Sequence, residues 1–286
     1  MTSVSDIFKT LKRRGGILLL SPKFIENWYA ALPAYLLRRP MNIRFRNGIQ
    51  GYLGGIDIYR IVHFMRCNVN LKQVSNDIFD VSIGDYKLRA PAKNLDSFEY
   101  IFLNDRLNGG IDYQGKTILD IGAYIGDTAI YFGYKGASRI ICYEPIKEFF
   151  YWLEQNVELN GINAELYNLG VSDKHGEIEI PYSEFDCLVG CGGKQSTKIE
   201  TISLSEVLQK HGSVDICKFV SPGCEQAILS LSDVELLKVP TWIVETAYKK
   251  YKTELLDRFS KAGFKSKRVI HKPIFKEWYF LFIELI

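Results

Sequence analysis

The stretch "KTILDIGAYIGDTAIYF", residues 116–132, contains the pattern that decides the expected fold of this chain. An apolar run leads to Asp120, a loop follows with Gly122 and Gly126, and Asp127 opens a helical pattern. A buried strand, a glycine loop and a helix in this order are typical of a parallel α/β sheet. Ligands of such sheets bind beyond the carboxyl ends of the strands, where this loop would lie.

The chain after this stretch alternates apolar runs with helical periodicity. The run "RIICYE" ends at Glu144, and the next segment has Ile146, Phe149, Leu153 and Val157 on one helical face. Further strands are predicted at residues 163–168, 214–220, 241–246, 267–271 and 277–285. The last two are typical of an antiparallel hairpin. We therefore expect a doubly wound α/β sheet, covered by helices on both faces and closed by this hairpin.

The first third of the chain has a different pattern. Short alternating strands surround the turn Asn47-Gly48, a helix is predicted near residues 55–66, and a second strand pair breaks at Gly84-Asp85. We therefore predict two domains. Residues 1–95 form an accessory region of helices and short β-hairpins, and residues 96–286 form the main domain.

The charge of the chain is unevenly divided. Residues 1–94 hold 15 Lys+Arg against 6 Asp+Glu, whereas the remaining residues hold 21 against 27. This excess of positive charge favours an anionic partner such as nucleic acid, a lipid headgroup or a sugar phosphate. An ordinary solvated surface is the alternative interpretation.

The apolar segments predict where the protein resides. The run Ile17–Leu20 is too short for a signal peptide, and Lys23 and Glu26 interrupt the longest apolar segment, residues 16–36. We therefore expect a cytoplasmic protein with reduced cysteines. Segment 16–36 either lies on a membrane surface as a peripheral contact or packs as an ordinary helical hairpin.

The cysteines do not predict a metal site. Cys187 and Cys191 are spaced C-x3-C rather than the usual C-x2-C, and no histidine lies close to them. The loop that contains them, residues 182–197, is long and rich in glycine, which suits either a substrate lid or a disordered insertion.

The acids around the glycine loop indicate which ligand it holds. The loop reads G-x-x-x-G followed by Asp127, which matches neither a phosphate-binding loop with its lysine nor the dinucleotide pattern G-x-G-x-x-G. S-adenosylmethionine has a cationic head and no phosphate. We expect Asp120 to receive its ammonium and Glu144 its ribose hydroxyls. Gly122 and Gly126 would let the ligand approach the backbone. The alternative is that the two acids only cap helices.

Four blocks resemble the FkbM family of S-adenosylmethionine-dependent methyltransferases: "TILDIGAYIGDTAIYFGYKGASRIICYEP", "AELYNLGVSDKHGEIEI", "TISLSEVLQ" and "KFVSPGCEQAIL". The resemblance covers residues 96–286 and implies a seven-stranded Rossmann-like methyltransferase fold that O-methylates sugars, glycans or polyketide products. It implies a cofactor site on the methionine, ribose and adenine sides made by Asp120, Gly122, Ala123, Tyr124, Gly126, Asp127, Glu144, Pro145, Asn168 and Gly170.

The sequence departs from the family pattern K-x-D-x-E-G-x-E after the fourth strand. Lys218, the glycine and Glu225 match, but Val220 and Pro222 replace the first two acids. We therefore expect Glu245, which ends the next strand, to act as base or substrate anchor, with Lys218 as its electrostatic or structural partner. The segment also reads as a helix start capped by Ser221.

The leading hypothesis is an S-adenosylmethionine-dependent O-methyltransferase that acts on a saccharide, a glycan or another hydroxylated metabolite. The basic first third motivates the alternative of an RNA methyltransferase. The loss of the acid at Val220 motivates a second alternative, a pseudoenzyme that binds the cofactor without turnover.

Overall fold

The computed structural model describes residues 22–36, 39–182, 195–220, 223–246, 248–272 and 278–285. These residues divide into two units, one ending at Glu99 and one beginning at Tyr100. Within these ranges, every helix is too short or too polar to cross a bilayer.

The first unit combines helices with small antiparallel sheets. Its elements are α1 (Trp28–Leu36), β1 (Met41–Arg44), β2 (Gln50–Leu53), α2 (Gly55–Arg66), β3 (Asn70–Gln73), β4 (Ile78–Ile83), β5 (Tyr86–Pro91), a 3-10 turn (Ala92–Asn94) and α3 (Asp96–Phe98). The predicted hairpin at Asn47-Gly48, the helix at 55–66 and the strand pair at Gly84-Asp85 are confirmed. Strand β3 was not predicted, because its four residues bury one side chain, Leu71.

The second unit contains the predicted α/β pattern. After a π-helical turn (Glu99–Leu103), its elements are β6 (Thr117–Ile121), α4 (Asp127–Tyr134), β7 (Arg139–Tyr143), α5 (Lys147–Leu159), β8 (Ala164–Tyr167), β9 (Gly170–Ser172), β10 (Gly176–Tyr182), β11 (Gln195–Ser203), α6 (Leu204–His211), β12 (Ile216–Phe219), α7 (Gln226–Leu229), α8 (Asp233–Leu236), β13 (Thr241–Thr246), α9 (Lys249–Lys261), β14 (Phe264–Lys272) and β15 (Trp278–Leu285).

The central sheet has seven strands in the order β14-β15-β13-β12-β6-β7-β8. The strands from β13 to β8 pair in parallel, and β15 pairs antiparallel with both β13 and β14. Residues of α4 and α5 pack on one face, and residues of α6, α7 and α9 pack on the other. The predicted fold class, a doubly wound seven-stranded sheet closed by an antiparallel hairpin, is therefore confirmed.

The direction of winding reverses beside β6. Strands β7 and β8 continue to one side of it, whereas β12 and β13 lie on the other. A crevice opens at the carboxyl ends of the strands at such a switch point. Along β6, Leu119 and Ile121 face one core cluster and Ile118 faces the other. Asp120 therefore lies on the face of Ile118, which is also the face that α4 covers.

A second, smaller sheet in this unit was not predicted. It has the order β10-β11-β9, with β11 antiparallel to β10 and parallel to β9. The alternation in "GEIEI" of β10 carries a strand signal, whereas β9 has only three residues. Residues 195–197, expected to belong to a long loop, are the start of β11 instead.

Some predictions concern residues outside the described ranges. They are the part of segment 16–36 before residue 22, the loop residues 183–194 with Cys187 and Cys191, and the helix start at Ser221-Pro222. The helix that follows Ser221 begins at Gln226.

Candidate functional site

A buried ion pair connects the two strands that flank the switch point. Lys218 on β12 lies opposite Asp120 on β6, and their side chains are 4% and 0% exposed. Lys218 Nζ donates to Asp120 Oδ1 at 2.6 Å and to the main-chain oxygen of Gly122 at 2.8 Å. Thr128 Oγ1 donates to the other oxygen, Asp120 Oδ2. Asp120 was expected to receive the ammonium of a ligand, but the protein already supplies an ammonium to it.

Two further carboxylates lie near this pair. Asp127 begins α4, and Glu245 lies on β13 two residues beyond Ile243, the partner of Lys218. Because side chains alternate along a strand, Glu245 shares the face of Lys218. Both acids are buried. We call Asp120, Asp127, Lys218 and Glu245 the charge cluster; when its acids are ionised, it holds three negative charges and one positive charge.

The pKa values of the charge cluster reflect this imbalance. Burial alone would lower the pKa of Lys218, but the charge of Asp120, with smaller contributions from Asp127 and Glu245, outweighs burial, and the pKa of Lys218 is raised. Burial raises the pKa of Asp127 to about 7; Lys218 opposes this shift and Asp120 adds to it. Lys218 is therefore charged at neutral pH, and Asp127 is poised to lose its proton when a cation approaches.

Glu144 follows β7 and holds the glycine loop from the opposite side. Its Oε2 accepts from the main-chain N–H of Tyr124 and its Oε1 from that of Ile146, both at 2.9 Å. Burial raises the pKa of Glu144 to about 8, although these two N–H groups and Lys218 oppose the shift. Tyr124 has a φ of +51°, which is uncommon for a bulky residue. The bond to Glu144 stabilises this conformation and directs the carboxylate towards the loop.

The glycines of the loop make room for the protein itself. A Cβ on Gly122 would lie 1.9 Å from the main-chain oxygen of Val220, and a Cβ on Gly126 would lie 3.0 Å from Leu153 Cδ1. Both glycines also have positive φ, +74° and +87°. They were expected to let a ligand approach the backbone. Their missing side chains admit the end of β12 and helix α5, and the approach of a ligand to this backbone stays a prediction.

Asn168 and Gly170 were expected at the adenine edge. Asn168 Nδ2 donates to the main-chain oxygens of Glu144 at 2.8 Å and of Pro145 at 3.1 Å, so it braces the turn that carries Glu144. Gly170 begins β9, where a Cβ would lie 2.8 Å from Ile199 Cδ1 of β11. Packing within the small sheet therefore explains the glycine at position 170.

Hydrogen bonds hold the ends of β12 and β13 in place. Val220, which replaces the expected acid, donates its main-chain N–H to Ile121 at 2.9 Å. Glu225 is buried and accepts from Thr246 Oγ1 and from the N–H of Gly223, both at 2.8 Å. This arrangement fixes the end of β13, the strand that carries Glu245.

Two residues that shape the site were missed in the sequence. Asn156 is buried in α5 and donates Nδ2 to the main-chain oxygen of Ile125 at 2.8 Å, which holds the glycine loop against the helix. The sequence did contain a signal for this role, because Asn156 is a polar residue on the apolar helix face of Leu153 and Val157. Thr128 carried no such signal, because a threonine near a helix start is common.

The chain matches no protein-family model and no curated protein. Solved structures do match it. A ribosomal protein L11 methylase from Lactobacillus delbrueckii subsp. bulgaricus is 16% identical, with a TM-score of 0.43 over 67% of this chain and 79% of its own. A protein from Streptococcus mutans described as an S-adenosylmethionine-dependent methyltransferase is 12% identical, with a TM-score of 0.47 over 85% and 69%. TrmK from M. capricolum, in complex with S-adenosylhomocysteine, is 14% identical, with a TM-score of 0.41 over 64% and 67%. At these identities the likeness concerns the fold.

Proposed function

We propose that this chain is an S-adenosylmethionine-dependent methyltransferase that methylates a hydroxyl group of a saccharide, a glycan or another hydroxylated metabolite. The observation that carries the proposal is the charge cluster at the switch point, where three buried acids surround one lysine. Its excess of negative charge favours a cationic ligand and disfavours a pyrophosphate. S-adenosylmethionine has an ammonium and a sulfonium group and no phosphate, so the residues present fit it.

The binding roles follow from which carboxylates are already neutralised. Asp120 is paired with Lys218, so Asp127 is the acid that receives the ammonium group in this proposal. Glu144 receives the ribose hydroxyls, because among the described residues each of its oxygens accepts one main-chain N–H and has a second lone pair. Lys218 holds Gly122 and Asp120 in place and has a positioning role rather than a catalytic one.

The reaction needs alignment and a proton acceptor. Bound at this site, S-adenosylmethionine would supply an electrophilic methyl group for direct displacement by an acceptor oxygen, with S-adenosylhomocysteine as the leaving group. Glu245 takes the proton of the acceptor hydroxyl, since Val220 offers no carboxylate at the neighbouring strand end. The four blocks that resemble the FkbM family support oxygen as the acceptor atom, and membership of that family is part of this proposal.

Replacing Glu144 with alanine is expected to weaken the binding of S-adenosylhomocysteine by about tenfold or more. The change removes the ribose acceptor and the two bonds that hold Tyr124 and Ile146. Isothermal titration calorimetry measures the affinity. Glu154→Ala, on the exposed side of α5, is the matched control and should bind like the parent. If Glu144→Ala binds like the parent, the ribose site is wrong; if the parent binds neither cofactor nor product, the proposed function is wrong.

Cofactor affinity should rise with pH across the pKa of Asp127. That pKa is raised to about 7, so the carboxyl is protonated below neutral pH, and a cationic ligand binds the deprotonated form more tightly. Binding near pH 7 should therefore release a proton, which calorimetry in two buffers of different ionisation enthalpy detects. Asp127→Asn should abolish the proton release that comes from Asp127. Any proton exchange by Glu144 and by the ligand should remain. An identical pH profile in both proteins would contradict the assignment of Asp127.

A transfer assay with isotope-labelled methyl groups separates this proposal from its alternatives. The RNA alternative rests on the 15 Lys+Arg against 6 Asp+Glu of residues 1–94. RNA methylation would weaken steeply with salt, because phosphate contacts release counterions, whereas methylation of a neutral sugar would not. Cofactor binding without transfer to any saccharide or RNA would favour the pseudoenzyme.

A further inference from the structure

Arg106 lies in the segment before β6 and presents a buried donor that nothing in the described part of the chain accepts. Its Nη1 atom has no hydrogen-bond partner there. The guanidinium carbon lies 4.6 Å from the ring centre of Tyr100 and 6.0 Å from that of Phe280. A buried charged donor without an acceptor is unfavourable, and native proteins seldom keep one without a reason.

The surroundings of Arg106 differ from those of Trp242 Nε1, a second donor that has no hydrogen-bond partner among the residues that the structure describes. Trp242 is fully buried in an apolar core cluster and packs against Phe259, so no ligand reaches it. Arg106 is only partly buried as a residue. Part of Arg106 is therefore exposed to solvent, while its guanidinium group packs against the rings of Tyr100 and Phe280.

The neighbours of Arg106 in sequence fix its position. Asp105 has a φ of +43°, and its Oδ1 accepts from the hydroxyl of Tyr131 on α4 at 2.8 Å. Leu107 is fully buried, and its main-chain oxygen accepts from the hydroxyl of Tyr113 at 2.5 Å. Arg106 is thus held between two anchored residues, which lowers the entropy that a ligand contact would cost.

The register of the sheet places Phe280, a neighbour of Arg106, beside Glu245. Phe280 on β15 is paired with Glu245 on β13, and paired residues have their side chains on the same face. Arg106 is a neighbour of Phe280. The guanidinium group of Arg106 and the carboxylate proposed as base therefore belong to one end and one face of the sheet.

We propose that Arg106 binds an anionic group, a carboxylate or a phosphate, on the methyl acceptor. The acceptor is then an acidic saccharide, either a sugar acid or a sugar phosphate; this identity of the acceptor rests on the proposed function. A guanidinium group binds either anion through two parallel hydrogen bonds, and the ring of Tyr100 supports its planar face. The charge cluster repels an anion, so the anionic group stays at Arg106 while a hydroxyl group approaches Glu245.

The test titrates glucuronate, glucose 6-phosphate and glucose into the full chain, with and without S-adenosylhomocysteine. The parent should bind at least one of the two anionic sugars more tightly than glucose, and the better of the two tells a carboxylate site from a phosphate site. Arg106→Gln should weaken that binding by about tenfold or more, and Arg106→Lys should restore part of it. Lys261→Gln, which removes a charge whose side chain is 73% exposed, should bind like the parent.

Thermal unfolding separates this role from a structural one. Arg106→Met keeps apolar contact with Tyr100 and removes the buried Nη1 donor, so it should melt at or above the temperature of the parent. A lower melting temperature that accompanies unchanged sugar binding would make Arg106 structural and overturn the inference.

The outcomes also separate this inference from the proposed function. If the parent binds S-adenosylhomocysteine but Arg106→Gln binds the sugars like the parent, the inference fails and the proposed function stands. If the parent binds no cofactor, the proposed function fails, while a loss of anion binding in Arg106→Gln would still support the anion site. Binding of single-stranded RNA with no binding of either anionic sugar would overturn the acidic saccharide.

Discussion

Lys218→Met should lower the free energy of unfolding by about 3–5 kcal/mol, the usual loss when one partner is removed from a buried ion pair. Lys218 and Asp120 are 4% and 0% exposed, and Nζ lies 2.6 Å from Oδ1. Without the ammonium group, the carboxylates of Asp120, Asp127 and Glu245 remain buried on one face and lose the positive charge of Lys218. Urea unfolding followed by circular dichroism measures the loss.

The two single variants of the pair should not be equivalent. In Asp120→Asn, Lys218 keeps the charges of Asp127 and Glu245, which also raise its pKa. We therefore expect a smaller loss of unfolding free energy than in Lys218→Met, and the double variant should recover part of the loss of Lys218→Met. Equal losses in the two single variants would show that the neighbouring acids do not act on Lys218.

The loss of unfolding free energy in Lys218→Met should become smaller as the pH falls. Buried acids whose folded pKa is raised bind more protons in the folded state than in the unfolded state, so folding is favoured below the folded pKa and disfavoured above it. Loss of the ammonium raises the pKa of Asp127 beyond its present value of about 7. Unfolding curves at an acidic and an alkaline pH test this, and a deficit that grows on acidification would contradict it.

Much of the sheet could be predicted because its signal is local. The apolar run at residues 241–246 coincides with β13, and the predicted helix 55–66 coincides with α2. Continuous apolar runs identify buried parallel strands, and helical periodicity identifies the elements between them. Strands β9 and β11 were not predicted, because they pair through residues about 30 positions apart in the chain.

The partners within the site could not be predicted from local patterns. Asp120 and Lys218 are 98 residues apart in sequence, and they meet because β6 and β12 are neighbours in this register. The sequence therefore indicated an acid at the strand end but not the cation that neutralises it. The same holds for Glu144, whose two bonds to Tyr124 and Ile146 depend on the course of two loops.

The glycines illustrate a second limit of sequence patterns. A glycine at a strand end indicates a close approach or a positive φ, but not which group approaches. At Gly122 the approaching group is the main-chain oxygen of Val220, and at Gly126 it is Leu153 of α5. The glycines of this loop therefore indicate close packing of the protein itself. Whether the loop binds a ligand must be established through Glu144 and Asp127.

Gly122→Ala should lower the free energy of unfolding by about 3 kcal/mol or more, through two separable effects. Gly122 has a φ of +74°, which an alanine adopts only with strain. The new Cβ would also lie 1.9 Å from the main-chain oxygen of Val220, so the ends of β6 and β12 must separate. Because the oxygen of Gly122 accepts from Lys218, this separation also disturbs the charge cluster.

Gly115→Ala separates the strain from the clash. Gly115 has a φ of +71°, and its Cβ would meet nothing within 4 Å, so this variant should lose only about 1–2 kcal/mol. The difference between the two variants in urea unfolding measures the clash alone.

Val220→Ala should not rescue Gly122→Ala, because the obstructing atom belongs to the main chain and remains in the variant. Gly122→Ala should also bind S-adenosylhomocysteine more weakly than Gly115→Ala does. If the two glycine variants were equally stable, β12 would not approach Gly122 closely, and the bond from Lys218 to that loop would be wrong as well.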